Sequence, residues 1–250
     1  MTPSGGGAAF IDPSSEASTT LWLRAGDETY TDDGTTLVSS DGQAVQMIRN
    51  KLNTAERWRQ TTAGSKPTHK TGILNSKPVW RFDGNDFLDH NNSDHFFGGS
   101  ANTMIAVVSA SSTTEYILSG SGGERGPAFI TSFSSKEFEY FTHSSGERQT
   151  FAATASGFHI LTVTRPEGVG SHKLYFDGAL VATGTNVNNA NGNWSGKFLS
   201  RIGRDAGAGS GGITADLAEV IQCTTVLSNA RLNDMHTYLN GRYGIAITLL

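Results

Sequence analysis

The 250-residue sequence holds a single cysteine, Cys223, which rules out an internal disulfide and any cysteine-based zinc site. It is also poor in charge. Only 17% of residues are charged, and a net charge of −4 with no basic run leaves no electrostatic footprint for nucleic acid. No apolar run approaches the ~20 residues of a membrane span. The first twenty residues, "MTPSGGGAAFIDPSSEASTT", have neither the basic start nor the apolar core of a secretory signal. The expectation is a soluble protein made in a cytoplasm. If it acts outside a cell, it would leave by a route such as release within a virus particle.

Glycine, by contrast, is plentiful: 30 residues, without a collagen period and alongside abundant Ser, Thr and Asn. That composition favours short strands joined by tight turns. The length suits one large β domain or two small ones, and neither a second domain nor a short-period repeat is visible. Residues 1–18 read as a flexible arm whose one apolar pair, Phe10-Ile11, is expected to dock a partner. Residues 19–250 read as the domain.

Strand patterns begin at "TTLWLRA", Thr19–Ala25. A weakly patterned stretch follows, with Met47, Ile48, Leu52 and Trp58 as its expected buried positions. "NTMIAVVSA", residues 102–110, is apolar on both faces, which predicts a central strand. "HKLYFDGALVATG" predicts a hairpin about Asp177-Gly178. "VWRFDGNDFLDH", Val79–His90, repeats Phe-Asp-Gly at 82–84 and reads as a second hairpin of the same kind. Cys223 falls at the end of an apolar strand and reads as buried.

The end of the chain changes period. Ser228 is a candidate N-cap, Leu232, Met235, Leu239 and Tyr243 recur at helical spacing, and Gly241 or Gly244 is a natural stop. One helix of about three turns is predicted. About ten strands closed by one helix point to the all-β class, as a two-sheet antiparallel jelly-roll sandwich.

Taken in order, "LWLRA", "KPVWRFDGNDFL", "TMIAVV", "HKLYFDGALV" and "RIGRDAG…ADLAEVIQCTTVLSNARLNDMHTYLNGRYGI" resemble the laminin-G-like jelly roll of the concanavalin-A-like lectin and glucanase superfamily. The resemblance covers roughly residues 19–245. It implies fold more strongly than function, because this fold hosts lectins, glycanases, adhesion modules and structural virion parts. The variant resembled is common in bacterial surface proteins and bacteriophage structural proteins. It implies a non-enzymatic protein of the virion surface, decorating a capsid or forming part of a fibre. Its partners would be the major capsid protein or another virion protein, together with host-surface glycans; attachment at symmetric shell positions would favour a homo-oligomer. No cofactor is expected. A carbohydrate-binding adhesin and a glycoside hydrolase of the same fold are the alternatives.

Each reading has candidate residues. For glycan contact, Trp194 lies among asparagines with Asn191 and Asn193 beside it, and Arg204-Asp205 in a glycine-rich loop, with Tyr116, could join them. For hydrolysis, Glu137 and Glu139 lie two apart on a strand pattern, ~6.6 Å along it, but Phe141 stands where a third acid is needed. Asp89, His90, Asp94 and His95 are chemically capable of holding a metal, and Asp83, Asn85 and Asp86 could offer oxygens to calcium, but nothing in the sequence fixes their geometry and no metal site is assigned. Gly207, Gly209 and Gly212 match a dinucleotide fingerprint only superficially, since a strand rather than a helix follows.

Overall fold

The computed structural model describes residues 11–90, 101–110, 116–120, 128–131, 138–141, 148–152, 157–166, 171–185, 199–204 and 212–250. In chain order the strands are β1 (Thr19–Arg24), β2 (Thr29–Tyr30), β3 (Met47–Arg49), β4 (Arg57–Arg59), β5 (Thr68–Leu74) and β6 (Lys77–Asp83). There follow β7 (Leu88–His90), β8 (Asn102–Ala110), β9 (Tyr116–Gly120), β10 (Ala128–Thr131), β11 (Phe138–Phe141) and β12 (Arg148–Ala152). The last are β13 (His159–Arg165), β14 (Ser171–Phe176), β15 (Ala179–Thr185), β16 (Leu199–Ile202) and β17 (Thr214–Cys223), then the helix α1 (Asn229–Tyr243).

They form two antiparallel sheets. Sheet A runs β15-β14-β13-β8-β17-β6-β5, with β1 also paired to β17, and sheet B runs β12-β11-β10-β9-β16-β7-β4-β3-β2. The jelly-roll sandwich with one C-terminal helix is therefore the architecture of the chain. As its two greasy faces require, β8 is central, between β13 and β17.

Alternation along the strands builds two apolar layers. Between the sheets lie Leu21, Leu23, Trp80, Phe82, Met104, Ala106, Val108, Leu161 and Val163 from sheet A, against Ile48, Trp58, Leu88 and Ile202 from sheet B. The intervening residues of sheet A, among them Trp22, Ile105, Val107, Ile160 and Ile221, point the other way and are covered by Leu232, Met235, Leu239 and Tyr243 of α1. Register shifts between Leu217 and Glu219 of β17, which turns Glu219 toward the helix. Its buried carboxylate accepts hydrogen bonds from Trp22 Nε1 (2.5 Å), Tyr238 (3.0 Å) and Tyr243 (2.6 Å), binding helix to sheet. Burial pushes its carboxyl up, against those hydrogen bonds and the charges of Arg24 and Arg242.

The helix starts at the N-cap Ser228, whose hydroxyl accepts the Arg231 amide, and ends at Gly244, which has a left-handed backbone. Asn75, in the turn between β5 and β6, donates to the Arg242 carbonyl (3.0 Å) and closes that end. At 15 residues the helix is about four turns, one more than expected, because Gly241 is passed through and Gly244 is the stop. Met47, Ile48 and Trp58 are buried, whereas Leu52 is exposed in the turn between β3 and β4.

The two Phe-Asp-Gly segments part company. Asp177-Gly178 is a true two-residue hairpin turn between β14 and β15, with positive φ at both residues. Asp83-Gly84 is not a hairpin: β6 belongs to sheet A and β7 to sheet B, so this turn is the corner where the chain changes sheets. Residues 13–18 of the arm lie against the domain, whereas Ile11 is exposed. Asp12 caps a short 3-10 turn, Glu16 pairs with Arg231 (3.3 Å), and Ser18 accepts the Thr224 amide (2.8 Å).

Candidate binding face

The sandwich treats its two outer surfaces differently. That of sheet A is sealed by α1. Among the described residues no helix lies over sheet B, and the outer side of β4, β7 and β16 carries mainly polar and charged side chains. The reason is period two: Arg57 and Arg59 flank the buried Trp58, Met47 and Arg49 flank Ile48, and Phe87 and Asp89 flank Leu88.

Strand register then aligns these residues in a row. Tyr30 faces Met47, Met47 faces Arg59, Arg59 faces Asp89, and Asp89 faces Arg201. Asp89 accepts both arms of Arg201, Nε at 2.5 Å and Nη2 at 3.2 Å. Arg59 bonds Asp33 (2.6 Å), which also accepts from Gln46 (2.7 Å). Phe87 backs this row: the guanidinium of Arg201 lies 4.7 Å from its ring centre and that of Arg204 5.2 Å. A stacked guanidinium keeps its edge donors in a fixed plane, so Phe87 orients two forks at once. The side chains stay accessible, with Asp89 at 45% and Arg59 at 40% exposure.

Behind the row lies the sheet-changing corner. Gly84 donates to the Ile213 carbonyl (3.0 Å), Gly212 to Gly84 (2.9 Å) and Ile213 to Gly203 (2.8 Å), which ties the corner to the base of the glycine-rich loop. A side chain at Gly212 would meet the Gly84 carbonyl at 2.6 Å, so the close approach requires glycine. Asp86 is buried here and accepts the Asp83 amide (3.1 Å). Burial, followed by the Asp83 charge, raises its carboxyl to about 7.

Of the residues singled out for glycan contact, Arg204 falls on this face, and Ser119 fixes its backbone by donating to its carbonyl (2.7 Å). Tyr116 begins β9, two strands from β7. Asn191, Asn193, Trp194 and Asp205 lie outside the described residues, as does Phe10 of the arm pair; Ile11 is 78% exposed. Glu139 is on β11, opposite Ile130 and Thr150, and Glu137 lies outside the described residues. Asp89 and His90 point to opposite faces of β7, with His90 against the buried Trp58 ring (4.5 Å), so they do not converge on an ion. Asp94, His95, Gly207 and Gly209 lie outside the described residues. Sequence reasoning missed Arg57, Arg59, Phe87 and Arg201 as a group. The alternating Arg-Trp-Arg of β4 was the available signal.

No protein-family model matches the chain, and no curated protein does. Among solved structures it is similar to a mutant of Trypanosoma rangeli sialidase displaying trans-sialidase activity (TM-score 0.56, 10% identity, 93% of this chain and 34% of that one). It is likewise similar to Trypanosoma rangeli sialidase in complex with sialic acid (0.55, 14% identity, 99% and 36%). A third similar structure is the binding domain of botulinum neurotoxin DC in complex with rat synaptotagmin II (0.50, 12% identity, 89% and 52%). The chain thus spans about a third to a half of the length of the proteins it resembles. At these identities the likeness shows the fold alone, a two-sheet antiparallel β-sandwich.

Proposed function

We propose that the chain is a non-enzymatic attachment module that holds a saccharide on the outer face of sheet B. The observation that carries this reading is the asymmetry of the sandwich: one sheet is capped by α1, and the other presents Arg59, Asp89, Arg201 and Arg204 around Phe87. Sugar hydroxyls both donate and accept, so a row that alternates guanidinium and carboxylate meets them with both partners. A similar structure solved with sialic acid lends further support, though it belongs to a protein of which this chain spans about a third.

Attachment is favoured over hydrolysis by the geometry. Asp33 and Asp89, the carboxylates of the row, are each engaged by an arginine, Arg59 and Arg201. Asp86 has the raised carboxyl an acid needs, but it is only 4% exposed and lies behind the row.

The setting implied by the sequence resemblance, a bacteriophage virion surface with a capsid or other virion protein as partner, belongs to the same proposal. Many copies on one particle would multiply weak contacts into firm attachment. A glycan array with a parallel assay for released sugar tests the first part. Retained glycans and no released sugar are expected; turnover would make it an enzyme, and a silent array would remove saccharide binding. Co-purification with intact capsids, lost on deleting residues 1–18, tests the second; a wholly free pool would count against it.

A further inference from the structure

We infer that the turn 31–36 is a side wall of this site, so that the saccharide held there is the end of a chain and not an interior run of a longer one. The inference rests on the reading of sheet B's outer face as a saccharide site and narrows it. Met47 and Arg49 occupy the outer face of β3, in line with the row, because they alternate with Ile48 of the inner layer. On an open sheet an outward Met47 would be wet, but it is 0% exposed. The turn covers it. A Cβ added at Gly34 would lie 2.6 Å from Met47 Cε and would also meet the Arg49 guanidinium, so the Gly34 backbone rests directly on both side chains.

The wall is held in shape by its own hydrogen bonds. Past Tyr30 the chain doubles back: the Thr31 amide donates to the Thr36 carbonyl (2.9 Å), Tyr30 bridges to Leu37, and the Val38 amide donates to Thr29 (2.9 Å). Within the bend Asp32 accepts the amides of Gly34, Thr35 and Thr36, at 3.0, 2.8 and 2.9 Å. A ledge ordered in advance gives up little freedom when a ligand meets it. At its foot stands Asp33, with its side chain 58% exposed and its carboxylate on Arg59 (2.6 Å) and Gln46 (2.7 Å). The wall thus offers an acceptor beside the first arginine of the row.

The row is bounded on its other side as well. Opposite Arg201 in register is Ser119 of β9, whose side chain is covered (2% exposed) and whose hydroxyl donates to the Arg204 carbonyl. Among the described residues, the accessible part of the row is therefore Arg59, Asp89 and Arg201, on three adjacent strands. Two strand spacings of ~4.8 Å separate its ends, which leaves room for about two sugar rings. Acceptor and donor alternate across the strands, from Asp33 through Arg59 and Asp89 to Arg201. A saccharide that follows this order meets the 31–36 turn at one end and the Arg204 segment at the other. A long chain cannot continue past either, whereas a chain end fits between them.

The test is calorimetric titration of the whole chain with maltose, maltohexaose and α-cyclodextrin, a ring of the same glucose units that has no end, and with chitobiose and chitohexaose. In the series that binds, disaccharide and hexasaccharide should agree within about threefold in Kd, and α-cyclodextrin should bind about tenfold more weakly than maltohexaose, or less. Asp33→Ala should weaken both lengths alike, by about tenfold, with Asp33→Asn losing less. Asp32→Ala frees three amides and loosens the wall, so the hexasaccharide should then bind more tightly than the disaccharide. Thermal melts like that of the parent keep the variants interpretable; if Asp32→Ala is unfolded, the length series in the parent decides. Affinity that climbs from disaccharide to hexasaccharide in the parent, or α-cyclodextrin bound as tightly as maltohexaose, would overturn the inference and leave the saccharide reading standing. If neither series binds, the glycan array decides. Retention only of glycans that share a terminal unit is the expected result, and retention irrespective of the terminal unit overturns the inference. A silent array removes the saccharide reading and the inference with it.

Discussion

Asp177 accepts the backbone amide of Thr248 through its carbonyl (2.8 Å), so the C-terminal tail crosses directly over the Asp177-Gly178 hairpin turn. The same Asp177 holds His159 Nδ1 (2.7 Å) and accepts the Ile160 amide (2.7 Å) with its carboxylate. An Asp-Gly turn that looks local in sequence is thus a junction of two hairpin strands, β13 and the tail.

Gly178 therefore has two reasons to be glycine: its φ is +84°, and an added Cβ would collide with the Thr248 carbonyl. Gly178→Ala should cost about 2–4 kcal/mol in the full chain, and Gly178→Val more. In a chain ending at Ala246 the collision is gone and only the backbone cost of roughly 1–2 kcal/mol should remain. Denaturant unfolding of the parent and Gly178→Ala in both backgrounds, with Gly178→Val in the full chain, checks this; an equal cost of Gly178→Ala in both backgrounds would remove the tail from the explanation.

Asp86 makes a pH prediction. Its folded carboxyl is raised to about 7 from 3.8, so the native state holds its proton more tightly than the unfolded chain does. That contribution is complete below about pH 4 and is lost as pH rises through about 7. Asp86→Asn keeps an acceptor for the Asp83 amide and should be about 2 kcal/mol more stable than the parent at pH 8. The difference should shrink toward zero at pH 4. Melting temperatures across that range read it directly, and a constant difference would contradict it.

His236 works in the opposite sense. Its ring lies between α1 and sheet A, with Nε2 3.0 Å from the Thr162 hydroxyl, and burial depresses it to about 4 from 6.5. Its contribution is present above pH 6.5 and is lost as pH falls toward 4, where the unfolded chain takes a proton that the folded one refuses. His236→Gln should remove that loss, so stability should rise less steeply between pH 4 and 6.5 in the variant than in the parent. An unchanged slope in the variant would show that His236 does not titrate as stated.

What could be read from the sequence follows from how local each signal is. The helix was legible because Ser228, the Leu232–Tyr243 spacing and Gly244 all lie within one stretch. The two Phe-Asp-Gly segments have the same local chemistry, and only pairing partners far along the chain make one a hairpin and the other a change of sheet. The binding face was less legible still. Arg59, Asp89 and Arg201 come from three distant segments, and no spacing in the sequence announces that β4, β7 and β16 lie side by side. Arg204 was found because its glycine-rich surroundings mark a rim loop; Phe87, beneath it, looked like one more strand residue.

The most direct test of the central claim is to map amide shifts of isotope-labelled protein on titration with maltohexaose, chitohexaose and a hyaluronan hexasaccharide in turn, in the parent and in Phe87→Ala. The account predicts that a binding saccharide moves amides at 57–59, 87–89 and 201–204 while those of 229–243 stay still. It predicts that Phe87→Ala, by releasing the Arg201 and Arg204 forks, weakens binding about tenfold without unfolding the sandwich. Shifts that gather on the α1 side, or binding untouched by Phe87→Ala, would contradict it.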